Sequence, residues 1–129
     1  MTHRDLAVKA MEARRNSYSP YSNFKVGAAL LAGDNGLYTG VNIENASYGL
    51  TVCAERTAIF KAVSEGAVKI TALAVACDTD RFEDAFPCGA CRQVMAEFME
   101  DEADIIVSLN TGEWKVYKLR ELLPNAFRL

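Results

Sequence analysis

Thr51-Val52-Cys53-Ala54-Glu55-Arg56 and, further along, Pro87-Cys88-Gly89-Ala90-Cys91-Arg92 each open a stretch with helical spacing, and an apolar strand-like run lies between them. From Cys53 to Glu65 the apolar positions Ala54, Ala58, Ile59, Ala62 and Val63 share a helix face, and Gly66 is a natural stop. Lys69 to Cys77 is continuously apolar and β-branched, so it reads as a buried strand parallel to a neighbour across a helix. The next helix runs from Cys88 to Glu100 with Val94, Met95 and Phe98 inward. Strand, crossover helix and strand define an α/β fold, and both cysteine motifs fall at helix starts.

Working outward, residues 2 to 16 read as a helix capped by Thr2, with Leu6, Ala7, Ala10 and Met11 on its apolar face. His3, the only histidine, lies at that frayed end and is expected to be solvated or locally hydrogen-bonded. Asn16 to Asn23 is a turn-rich loop carrying Ser17, Tyr18, Ser19, Pro20, Tyr21 and Ser22. Phe24 to Ala32 and Leu37 to Glu44 flank Gly33-Asp34-Asn35-Gly36, a hairpin signal, and the first of these strands is apolar on both faces and so central. Asp78 to Phe86 is an acidic loop; strands at Asp104 to Asn110 and Glu113 to Leu119, turned at Thr111-Gly112, and a turn at Arg120 to Leu123 close the chain. The expected architecture is one domain, residues 1–129, built as a three-layer α/β/α sandwich on a mixed sheet of about five strands.

The chain has 129 residues, 50% hydrophobic and 24% charged, with a net charge of -3 and a pI near 5.2. That balance argues against a polymeric nucleic acid partner, which requires clustered Lys and Arg. No run approaches the roughly 18 apolar residues of a membrane span, and no apolar signal core is visible, so the expectation is a cytoplasmic protein without a membrane partner. Four cysteines in a reducing compartment read as metal ligands or reactive thiols rather than disulfides.

Cys53 and Glu55 would lie roughly 200° apart in mid-helix at about 3.6 residues per turn. Both can meet a metal only if it sits off the helix start. Cys88 and Cys91, three apart, share one face, and Pro87 suits a helix entrance. Three thiolates on Zn2+ leave a negative site, which two helix N-termini can offset, and Arg56 and Arg92, each just past a ligand cysteine, are expected to bond the sulfurs. Cys77 reads as a buried small hydrophobe; its ligation would close the site. With three ligands, a position stays free for water, and Glu55 is the one carboxyl in the motif able to shuttle protons during hydrolytic deamination. Asn42 and Glu44, two apart, point to one side of a strand. Spacing alone favours a solvated strand end there, and the neighbouring motif makes a sugar-hydroxyl site the alternative.

On Tyr18-Ser19-Pro20-Tyr21-Ser22, Phe24-Lys25-Val26-Gly27-Ala28-Ala29-Leu30, Asn42-Ile43-Glu44-Asn45-Ala46, Cys53-Ala54-Glu55-Arg56-Thr57-Ala58, Pro87-Cys88-Gly89-Ala90-Cys91-Arg92-Gln93 and Leu122-Leu123-Pro124, the chain resembles the cytidine deaminase family. The match is to its small zinc-dependent form with three cysteine ligands, over nearly the whole length. The resemblance implies one Zn2+ per chain on Cys53, Cys88 and Cys91. It implies attack of a zinc-activated hydroxide at C4 of cytidine or deoxycytidine, with Glu55 as acid/base, in pyrimidine salvage. It further implies that Asn42 and Glu44 hold the ribose, that Phe24 packs against the nucleoside, and that the Ala54 backbone reads the base. Phe127, with Ala46 and Tyr48, would wall the site from a neighbouring subunit, which implies a homotetramer with shared active sites. Phe86 before Pro-Cys and Val52 before the first ligand depart from the family pattern and are expected not to touch the chemistry. Competing readings are an aminonucleoside antibiotic deaminase, a thiol redox protein built on Cys88 and Cys91, and a nonenzymatic zinc module.

Overall fold

The computed structural model describes residues 1–129. Helix α1, His3–Ala13, starts at a capping box in which the Thr2 hydroxyl accepts from Asp5 N–H and the Asp5 carboxylate accepts from Thr2 N–H. A 3-10 turn, Arg14–Asn16, finishes it. Strands β1, Val26–Ala32, and β2, Leu37–Val41, form the hairpin, whose left-handed position falls on Asn35 (φ 67°) rather than on Gly36. Helix α2, Ala54–Ser64, ends in a Schellman motif: Gly66 N–H donates to Val63 O and Ala67 N–H to Ala62 O, with Gly66 at φ 96°. Strand β3, Ile70–Cys77, helix α3, Gly89–Phe98, strands β4, Asp104–Ser108, and β5, Trp114–Lys118, and the short helix α4, Leu119–Leu122, complete the chain.

The sheet order is β2-β1-β3-β4-β5, with β3 and β4 parallel across α3 and every other pair antiparallel. The sheet is mixed and five-stranded, as its sequence pattern predicts, and β1, buried and paired on both sides by β2 and β3, is one of its interior strands. Alternation sorts the side chains into two cores. Ala29, Ala74, Ala76 and Ile106 meet Leu6, Ala7 and Ala10 of α1, while Leu30, Leu73, Val75, Ile105 and Val107 meet Ala58, Ile59 and Met95 of α2 and α3. Small residues on the α1 side let that helix lie close, and a Cβ added at Gly27 would stand 2.1 Å from Ala10 O.

Four expectations need correction. His3 is exposed, but its hydrogen bond is not local: its Nε2 lies 2.9 Å from Asp104 at the start of β4, which also accepts from Lys118 Nζ at 2.7 Å. The Arg120–Leu123 turn is a helical turn starting at Leu119. β1 begins at Val26, two residues late, because Phe24 N–H donates to Ser22 Oγ and Phe24 O accepts from the Asn42 side chain. β2 ends at Val41, because the 42–44 segment pairs instead with Tyr18 on one side and Val52 on the other. Side-chain bonds to the backbone have replaced ladder bonds at this corner, and the corner borders the candidate site.

Candidate active site

Cys53 is the N-cap of α2 and Cys88 the N-cap of α3, both with extended backbone, and Cys91 lies in the first turn of α3. Glu55 is the second residue of α2. A metal off the two helix starts would therefore meet all three sulfurs, with Glu55 lining the cavity that Cys53 and Cys88 border. The Sγ atoms lie within 4.8 Å of one another. Cys53 and Cys88 are 3.9 Å apart and Cys88 and Cys91 3.5 Å. Tetrahedral zinc with Zn–S of about 2.3 Å requires sulfurs about 3.8 Å apart, so this donor set fits zinc. Cys77 stays outside the cluster; it is buried, its thiol donates to Ala85 O at 3.5 Å, and burial pushes its pKa up to about 12.

The electrostatics match thiolate ligation. Hydrogen bonding from Cys91 and then the Arg56 guanidinium, with Nη2 3.2 Å from Cys53 Sγ, draw the Cys53 pKa down to about 5 despite burial. Cys91 moves the opposite way, because it donates to Cys53 and is buried beside carboxyl and thiolate charge. One thiol ionises readily and the next resists, so a divalent cation is what permits three thiolates together. Arg92 does not fill the expected sulfur-bonding role. Its Nε donates to Pro87 O at 2.7 Å and its Nη1 to Leu122 O at 2.7 Å, which pins the entrance of α3 to α4.

Glu55 is 4% exposed, and burial raises its carboxyl to about 7, a value suited to giving and taking protons near neutrality. It borders a cavity of about 300 Å3 that Phe24, Asn42, Glu44, Cys53, Ala54 and Cys88 also line. Asn42 Oδ1 accepts from Val26 N–H at 3.0 Å and its Nδ2 donates to Phe24 O at 2.8 Å. Glu44 Oε1 accepts from Tyr21 N–H at 2.9 Å and Ser22 N–H at 3.2 Å, while Oε2 takes the Ser22 hydroxyl. Neither is a solvated strand end.

Ser22, Thr51, Asp84 and Phe86 line the same cavity, beyond the residues that the sequence pattern assigns to the site. Phe86 thus reaches the site that its sequence position seemed to spare, while its ring packs edge-on against Tyr117 at 5.2 Å. Only the Ser22 hydroxyl, two residues before Phe24 in a turn-rich loop, carried any sequence signal. Ala46, Tyr48 and Phe127 lie outside this cavity: all are exposed, Tyr48 at 78% and Phe127 at 69%. Tyr48 instead lines an adjoining cavity of about 380 Å3 that shares Ser22, Glu44 and Thr51 with the first.

A three-sulfur cluster at two helix starts, with a buried carboxyl beside it, is the local pattern of the zinc deaminases. The family model for the cytidine and deoxycytidylate deaminase zinc-binding region matches residues 1–107. The chain belongs to this family. It is 50% identical over 127 residues to the cytidine deaminase of Halalkalibacterium halodurans, covering 98% of this chain and 95% of that protein. The cytidine deaminase of Sporosarcina psychrophila is 48% identical over 122 residues, 95% of this chain and 88% of the relative. The crystal structure of cytidine deaminase from Burkholderia pseudomallei superposes with a TM-score of 0.91 at 45% identity, covering 98% and 100% of the two chains. No helix of this deaminase-family chain is long and apolar enough to cross a membrane.

Proposed function

We propose that this chain hydrolyses cytidine and deoxycytidine to uridine and deoxyuridine with release of ammonia, in pyrimidine salvage, and that residues 1–129 act as one catalytic domain. The observation that carries the reading is the buried Glu55 carboxyl lining the same cavity as the sulfurs of Cys53 and Cys88. Cys53, Cys88 and Cys91 would hold zinc, which would supply the Lewis acidity that makes a water nucleophilic at neutral pH. Glu55 takes one proton from the attacking water and delivers it to ring N3. It then carries the water's second proton to the leaving amino group, so that C4 gains oxygen as its bond to nitrogen breaks and ammonia departs. The Ala54 backbone, at the start of α2, reads the base, and Phe24 packs on the nucleoside.

At the sugar end Asn42 offers a donor and Glu44 an acceptor to ribose hydroxyls. No Lys or Arg lines this cavity or the adjoining one, and Glu44 stands between them. A phosphate there would meet a carboxylate and no cation, which favours nucleosides over nucleotides and over polymeric nucleic acid. The exposure of Tyr48, Leu50 and Phe127 supports a homotetramer in which Phe127, Ala46 and Tyr48 complete a neighbour's site. Three thiolate ligands suit a reducing compartment, and cytoplasmic residence is part of the proposal.

Ammonia release and the ultraviolet change on cytidine, deoxycytidine and an aminonucleoside antibiotic, with and without zinc chelation, test this. The expected result is turnover of both nucleosides and its loss on chelation. Activity on none of the three substrates would sink the reading, and activity on the antibiotic alone would replace it.

A further inference from the structure

We propose that Ser17, backed by Ser19, is a positioning residue for nucleoside binding: it saturates the Asn42 carbonyl so that Asn42 meets a ligand hydroxyl only as a donor. The inference rests on reading Asn42 and Glu44 as the sugar-binding pair.

The segment from Ser17 to Ser19 runs beside residues 42–44, with Tyr18 N–H donating to Asn42 O at 3.0 Å and Glu44 N–H to Tyr18 O at 2.9 Å. This pairing sets Ser17 Oγ against Asn42 Oδ1 and 3.1 Å from Ser19 Oγ. The direction of the chain follows from the groups themselves. An amide oxygen cannot donate, so Ser17 gives its one proton to Asn42. Ser17 then has only a lone pair to offer Ser19, so Ser19 donates to Ser17. The relay runs from Ser19 through Ser17 to Asn42, and each bond polarises the next.

Asn42 Oδ1 also accepts from Val26 N–H, so both its lone pairs are filled, and one of its two N–H groups is spent on Phe24 O. One N–H remains. Asn42 and Ser19 are each 8% exposed, so water does not compete freely for these groups. Glu44 has two backbone donors on Oε1 and the Ser22 hydroxyl on Oε2, which leaves Oε2 room to accept. The pair thus selects a group that accepts from Asn42 Nδ2 and donates to Glu44 Oε2. A hydroxyl satisfies both; an ether oxygen satisfies only the first. Without the Ser17 hydroxyl, Asn42 keeps two of its three side-chain bonds and one Oδ1 lone pair is unfilled, so the amide is freer to turn and its remaining N–H is no longer held for the ligand. The backbone of this segment is held independently, by Ser17 N–H to Arg14 O at 3.0 Å and by the Tyr18 bonds, so removing the hydroxyl leaves the loop in place.

Steady-state kinetics on cytidine with Ser17→Ala should show KM raised by about 3- to 10-fold with kcat within about twofold, the scale of one neutral hydrogen bond. Ser17→Thr should restore most of the loss. In an Asn42→Ala background, Ser17→Ala should add nothing. The side-chain amide signals of Asn42 in a 1H–15N spectrum of the substrate-free protein should shift in Ser17→Ala and return in Ser17→Thr. If Asn42→Ala raises KM while Ser17→Ala leaves it unchanged, the inference is wrong and the sugar-site reading stands. An Asn42→Ala enzyme with unchanged KM would overturn both. Unmoved Asn42 amide signals would overturn the inference whatever the chain's activity.

Discussion

Glu55 acts at the scale of a single residue, because burial holds its carboxyl near neutrality, at about 7, beside a cluster that must carry negative sulfur. Replacing it by glutamine keeps the shape and removes the carboxyl proposed to carry the protons. Glu55→Gln should retain one zinc per chain by metal analysis and an unchanged or higher melting temperature, while kcat on cytidine falls by at least about 100-fold. Near-normal turnover would refute the proton-shuttle role. Arg56 and Arg92 offer a second contrast. Each follows a ligand cysteine, yet Arg56 reaches Cys53 Sγ and Arg92 reaches two carbonyls. Chelator competition should therefore show zinc held about 10- to 100-fold more weakly in Arg56→Ala, and held as in the parent in Arg92→Ala, whose cost is stability. Residue types and spacings made the cysteines and Glu55 legible in the chain. Arg92 was not, since its partner carbonyl at Leu122 comes from an element that only folding brings alongside.

At the scale of elements, the start of α2 is placed by its close approach to β2. A Cβ at Gly40 would lie 2.4 Å from Ala58 N and 2.7 Å from Ala54 O, so the helix backbone rests on a strand with no side chain at that point. Gly40→Ala should force the two apart, costing about 1–3 kcal/mol in urea unfolding and lowering kcat/KM through displacement of Ala54 and Glu55. Unfolding stability and turnover equal to the parent's would show that α2 is positioned by other contacts. The helices were readable from apolar spacing and from Thr2 and Gly66, because caps and stops are local. The ends of β1 and β2 were not. At the start of β1 the Ser22 hydroxyl and the Asn42 amide take up backbone groups of Phe24 and Val26, and past the end of β2 residues 42–44 pair with Tyr18 and Val52; apart from Ser22, these partners are distant in sequence.

Across the whole molecule, the cavity of one chain is lined by Cys53, Cys88, Glu55, Asn42 and Glu44 but not by Phe127, which is 69% exposed. If a neighbour's Phe127 completes the site, Glu55→Gln and Phe127→Ala chains that are each impaired should complement when co-expressed. Random mixing would restore about a quarter of the wild-type sites, each pairing an intact Glu55 with an intact Phe127. Activity no greater than the average of the two variants would place Phe127 in its own chain's function, and light scattering of the parent checks the tetramer directly. The amino-acid sequence by itself determined the α/β class, the two helix starts and the set of three thiols with one carboxyl, because periodicity, capping and ligand chemistry are short-range properties. Tertiary structure alone decided that the motifs at Cys53 and Cys88 meet beside the start of β1 and the end of β3, that Arg56 and not Arg92 faces sulfur, and that Ser17 stands on Asn42. Those contacts join segments with no covalent neighbourhood, and the strand order β2-β1-β3-β4-β5 is what brings the cysteine-bearing segments together.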